Sequence, residues 1–134
     1  MKIVIDGNRV IAALIRESTT RKIIFDKNFE FITPDFILSE IDAHKELIIE
    51  KSSVSENEFH VLLSLVFEHI TIIPQNEYID FVREISDEIK DPNDIFYLAV
   101  CIASKAEGIW THDPHFKEQK KVKVFTNIDM LGFC

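Results

Sequence analysis

Short runs of β-branched and aliphatic residues recur along this chain, most of them followed by enough sequence for a helix. They are Lys2-Ile3-Val4-Ile5, Phe29-Glu30-Phe31-Ile32, Ile70-Thr71-Ile72-Ile73-Pro74, Gly108-Ile109-Trp110-Thr111 and Val122-Lys123-Val124-Phe125. Each is strand-sized, and the first and third are apolar at almost every position rather than alternating. That pattern belongs to strands covered on both faces, as in a parallel sheet. The intervening segments carry helix signals. Asn8 is placed to cap a helix over 8–15, with Val10, Ile11 and Leu14 turned inward. Thr33-Pro34 opens a longer helix to about Lys51, and Ser55-Glu56-Asn57-Glu58 is a capping box that starts a helix over 55–67. A further helix is expected over 77–88. Asp91-Pro92-Asn93-Asp94 then offers an N-cap, a first-turn proline and an acidic third position for a helix to about Lys105, and a last helical turn follows Asn127. The stretch 95–103 is apolar almost all round, so this helix should be central. The expected fold class is α/β, three layers (α/β/α) around a mainly parallel sheet of about five strands.

A chain of 134 residues falls in the range of roughly 100–200 residues that one core usually serves, so one domain over 1–134 is expected. With 46% hydrophobic and 28% charged residues it has the composition of a globular protein rather than a disordered one. Cys101 lies in the apolar run and Cys134 is the last residue, so no disulfide framework is expected. The opening residues reach Asp6 too soon for a signal peptide, and the run 95–103 is far shorter than the ~20 residues of a membrane helix. A cytoplasmic protein with no membrane association is the expectation. The net charge of −8 is unlike the basic surfaces of most nucleic-acid binders and reads first as a source of solubility. Carboxylates gathered around divalent ions would, however, partly invert the local sign.

The placement of certain acids carries the chemistry. Asp6 follows the first strand and Asp113 follows the fourth by two residues. In open α/β sheets ligands bind beyond the carboxyl ends of strands, near a topological switch point. Glu40 interrupts an otherwise inward stripe of Phe36, Ile37, Ile41, Leu47 and Ile48, where an unpaired carboxylate costs several kcal/mol or takes up a proton. Asp94 heads a buried helix whose positive end favours an anion. Taken singly, Asp6 and Asp113 read as turn residues, Asp91 as an N-cap, and Glu40 as a side chain reaching solvent or a basic partner. As a set at one sheet edge they repel one another, and a divalent cation is the ordinary way to hold them together. Oxygen ligands without a His/Cys pattern point to Mg²⁺ or Mn²⁺ rather than zinc. His112 and His115 flank Asp113, and His112 reads as a loop residue or a phosphate contact.

In length, strand order and acid spacing the whole chain resembles the PIN-domain family. Ile3-Val4-Ile5-Asp6-Gly7-Asn8, Ser39-Glu40, Asp91-Pro92-Asn93-Asp94-Ile95-Phe96-Tyr97-Leu98-Ala99 and Ile109-Trp110-Thr111-His112-Asp113 are similar to its successive motifs, in the family's order. The resemblance implies divalent-metal-dependent endoribonuclease activity at Asp6, Glu40, Asp94 and Asp113, which would serve both as catalytic and as metal-binding residues. Two aspartates, Asp91 and Asp94, fit the third acid, and the choice between them stays open at this level. Asn8, Thr111 and Asp91 would support the acids, and Arg9, Lys117, Lys120, Lys121 and Lys123 would contact RNA phosphates. Small members of the family resemble VapC-like toxins of toxin–antitoxin pairs, which implies an antitoxin protein partner and a homodimer, with exposed apolar residues of 55–67 as a dimer face. Two other readings compete. A receiver-like or phosphatase-like domain lacks the adjacent acidic pair after the first strand, and a non-catalytic PIN-like protein- or RNA-binding module would keep the acids without metal.

Overall fold

A computed structural model describes all residues, 1–134. Five parallel strands, β1 (Lys2–Ile5), β2 (Glu30–Pro34), β3 (Ile70–Ile73), β4 (Gly108–Trp110) and β5 (Val124–Phe125), form one sheet in the order β3-β2-β1-β4-β5. Residues alternate across it. Ile3 and Ile5, level with Phe31 and Trp110, face one side; Val4, level with Ile32 and Ile109, faces the other. On the first side lie α1 (Gly7–Ile15), α2 (Ser18–Ile24), α3 (Phe36–Ala43), α4 (Lys45–Ser52), α5 (Glu56–Phe67) and α8 (Asn127–Phe133), which supply Leu14, Ile23, Ile37, Ile48, Phe59 and Met130 to one apolar cluster. On the other side α7 (Asp94–Ser104) buries Ile95 and Tyr97 to Cys101 against the sheet, with α6 (Ile79–Glu84) outside it. This is the three-layer α/β/α arrangement expected, with the sheet wholly parallel.

Several element boundaries differ from the expectations, each for a local reason. Asp6, not Asn8, occupies the cap position of α1. Pro34 ends β2 rather than opening a helix, and α3 begins at Phe36. The single helix expected over 34–51 is broken at His44, whose N–H is shared between the carbonyls of Glu40 and Ile41 while its ring Nδ1 lies 2.7 Å from the Glu40 carbonyl. Leu47, expected to face inward, is exposed as a result. The helix expected over 77–88 is shortened to α6 and a 3-10 turn at Gln75–Glu77, because the Asp35 carboxylate accepts both the Gln75 N–H (3.1 Å) and the Tyr78 hydroxyl (2.6 Å). Asp91 does not cap α7. Its carboxylate accepts the Asn93 N–H in a turn that places Asp94 as the first helical residue. Val122 is held outside β5 because Gln119 accepts its N–H and donates to its carbonyl.

Three expectations about local structure agree with the fold. The capping box at Ser55 is complete in both directions, Cys101 is buried, and no helix is long and apolar enough to cross a membrane.

Candidate metal centre

The strand order places the switch point between β1 and β4, where the chain leaves the sheet toward opposite sides. Asp6 follows β1 directly and Asp113 lies just past β4, so the two acids meet across this point. Asp6 is 3% exposed, and its Oδ2 accepts a 2.6 Å hydrogen bond from the Thr111 hydroxyl. Thr111 Oγ accepts in turn from the Asp113 N–H at 3.0 Å, which ties the two acids to one side chain. The Asp113 carboxylate caps the 3-10 turn Pro114–Glu118 through the His115 N–H.

α7 delivers the third acid. Asp94 is 8% exposed, and its Oδ2 is buried with no hydrogen-bond partner. The His115 ring stands beside it, with Nδ1 3.7 Å from Asp94 Oδ2 and 3.4 Å from Asp113 Oδ1. Donor atoms of Asp91, Asp94 and His115 all lie within 4.8 Å of one another. Glu40 comes from α3, half-buried, and accepts a short hydrogen bond from the Tyr97 hydroxyl. Gly7 makes this approach possible, since a Cβ there would stand 2.8 Å from the Tyr97 hydroxyl and 3.1 Å from Glu40 Oε1.

The electrostatics follow from burial and crowding. Burial pushes the Asp6 carboxyl up to about 6; the Thr111 hydrogen bond opposes this, and the nearby charges of Glu40 and Asp113 add to it. Burial, then the charges of Asp113, Asp91 and Asp6, push Asp94 up to about 7, with His115 opposing. Burial raises Glu40 as well, against the Tyr97 hydrogen bond. These acids are destabilised as anions by burial and by one another's charge, and an unpartnered buried carboxylate oxygen is rare in a native structure. A divalent cation meets both conditions. The donors are carboxylate oxygens with one imidazole at the margin, a set that suits Mg²⁺ or Mn²⁺.

The remaining sequence-derived candidates are distributed unevenly. Thr111 lies between two of the acids. Asn8 is exposed in the first turn of α1. Arg9 is buried and directed at Glu17, with Nη1 3.0 Å from Oε1. Lys117, Lys120, Lys121 and Lys123 are exposed on the segment between β4 and β5, with Lys121 3.7 Å from Glu88. Two residues not assigned a site role from sequence belong to the site. His115 lies 3.4 Å and 3.7 Å from two of the acids. Tyr97 had a legible signal: it stands three residues after Asp94 in an otherwise apolar helix, and a buried tyrosine hydroxyl usually needs a partner.

The PIN-domain family profile matches residues 4–125. No curated protein matches the chain in sequence. In fold the chain is similar to the crystal structure of VapBC2 from Rickettsia felis bound to a DNA fragment from their promoter, with a TM-score of 0.69 and 16% identity, covering 94% of this chain and 98% of that one.

Proposed function

Because this chain belongs to the PIN-domain family, we propose that it is a divalent-metal-dependent endoribonuclease and the toxin of a toxin–antitoxin pair. PIN domains are in general nucleases, and the observation that carries the reading here is the buried, partnerless Oδ2 of Asp94, on a carboxyl that the charges of Asp113, Asp91 and Asp6 push up. Asp6, Asp94 and Asp113 would hold Mg²⁺ or Mn²⁺, with Glu40 reaching it directly or through water, and Asp94 rather than Asp91 as the third acid. When bound, the ion supplies Lewis acidity toward phosphate oxygen and water. The protein's own groups do the rest. Thr111 fixes the orientation of Asp6, and Tyr97 fixes that of Glu40. Lys117, which lines the cavity beside Asp113, gives an acidic protein a local cation for the RNA backbone, whereas Lys123 stands with Met1 and Glu107 at the other end of the sheet.

The likeness to VapBC2 supports an antitoxin protein as partner. The exposed Val61 and Leu65 of α5 support a homodimer through that helix. Loss of the dimer in Val61→Glu, read by light scattering, tests the second point; an unchanged mass would place the contact elsewhere.

The central test is RNA cleavage by purified protein with Mn²⁺ or Mg²⁺, with EDTA, and with Asp6→Asn and Asp94→Asn. Cleavage that requires metal and disappears in both variants supports the reading. No cleavage of several RNAs, together with no metal binding by calorimetry, would replace it with the non-catalytic binding module.

A further inference from the structure

Beside the acids lies a cavity of about 350 Å³ along the carboxyl ends of β4 and β5. Its inner wall belongs to the acid site, since Thr111 and Asp113 line it and Thr111 also bonds Asp6. Its outer wall is apolar and made by Val124 and Ile128. Ile128 is 81% exposed, the most exposed large hydrophobic side chain of the protein, while Met130 two residues on provides the buried anchor of α8. Folding therefore gains little from an isoleucine at position 128.

The polar groups of the cavity are sorted by their bonds. The Asn127 side chain is committed elsewhere: Oδ1 accepts from Trp110 Nε1 at 2.8 Å, and Nδ2 donates to Glu17 and Thr20. Its backbone N–H donates to His112 Nε2 at 3.0 Å, so the neutral ring carries its proton on Nδ1. The cavity thus offers one oriented N–H donor, one cation in Lys117, and an apolar wall.

We propose that this cavity is the subsite for one nucleobase of single-stranded RNA, next to the acid site. The proposal rests on the nuclease reading and adds where one base of the substrate sits. A base presents a flat, largely apolar face to Val124 and Ile128, an acceptor at its edge to His112, and its own phosphate to Lys117. The volume lies at the lower end of the roughly 300–1,000 Å³ usual for ligand pockets, which suits one base better than a protein segment. A base inside an A-form duplex is stacked and paired, so only an unpaired one can enter.

The test uses Asp6→Asn as a non-cleaving binder, titrated with oligoadenylate, with oligouridylate and with the duplex of the two, while the Ile128 methyl and His112 ring signals are followed by NMR. Both signals shift with at least one single strand and not with the duplex, and Ile128→Ala on the same background binds that strand about five-fold more weakly, with an unchanged Tm. Shifts confined to the 117–123 lysines, equal binding by the Ile128→Ala protein, or a response of Ile128 to an apolar peptide alone would overturn the subsite. Wild-type cleavage with Mn²⁺, run in parallel, separates the two claims. Cleavage with no role for Ile128 removes the subsite and leaves the nuclease, whereas the expected shifts without cleavage remove the nuclease and leave the subsite.

Discussion

The hydroxyl of Thr111 donates a 2.6 Å hydrogen bond to Oδ2 of Asp6 across 105 residues of chain. It is a buried bond between the ends of two adjacent strands, and it opposes the rise that burial imposes on the Asp6 carboxyl. Thr111→Val keeps the shape and removes the donor, leaving a buried carboxylate oxygen and the Asp113 N–H without their partner. Urea denaturation should show a loss of about 1–3 kcal/mol. The acid limb of the cleavage–pH profile should move to higher pH, because Asp6 becomes harder to ionise. Thr111→Ser should restore both.

Stability without metal should fall as pH rises. Asp6 and Asp94 have folded-state values of about 6 and about 7, both above the ordinary 3.8. The native state therefore binds more protons than the unfolded chain between about pH 4 and 7. The stabilisation is complete below the unfolded value and is lost as pH rises through the folded ones. For Asp6, nearly fully buried, the difference amounts to up to about 3 kcal/mol. In EDTA, Tm should be higher at pH 5 than at pH 7.5, and saturating Mg²⁺ should flatten the difference. A Tm that rises from pH 5 to 7.5 in EDTA would contradict the charge distribution described.

Asp94→Asn should separate stability from metal binding. Asparagine keeps the volume and removes the charge that Asp113, Asp91 and Asp6 repel. The metal-free variant should melt above the wild type at pH 7.5 while its Mn²⁺ affinity falls by more than about ten-fold. Melting scans and calorimetry on the same samples check both halves.

Gly7→Ala should act through Glu40 rather than through the backbone. The added Cβ would meet Tyr97 Oη and Glu40 Oε1, so the pair must shift, at a cost of about 1–3 kcal/mol. Tyr97→Phe on the same background removes the nearer obstacle and should recover part of the stability while leaving Glu40 without its hydrogen-bond donor. A double-mutant cycle on stability and Mn²⁺ affinity should therefore be non-additive.

The parts of this fold legible in the sequence are those encoded locally. The β-branched runs 2–5 and 70–73 give strands, and Ser55 with Glu58 gives a helix start, because neighbouring residues decide those outcomes. Asp6, Glu40, Asp94 and Asp113 stood out because each is a carboxylate at a position that burial or strand ends should deny to charge. What escaped depends on distant partners. Nothing in 34–51 reports the kink at His44, and α2 (Ser18–Ile24) has no strong cap, so it was not anticipated. Asp35, 40 residues before Gln75, shortens a helix that periodicity alone would continue. The same holds for Arg9, an apparent surface cation until Glu17, Thr20 and Asn127 are seen to share one polar network with it.

The strand order has a consequence for biosynthesis. Asp113, and the Thr111 that orients Asp6, are synthesised 107 and 105 residues after Asp6, in a segment that must dock beside β1. β1 cannot acquire its second neighbour until β4 has been made, so no truncated or nascent chain ending before that point contains the centre. A chain interrupted between β1 and β4 therefore carries Asp6 without the hydroxyl that orients it and without the second strand that buries it.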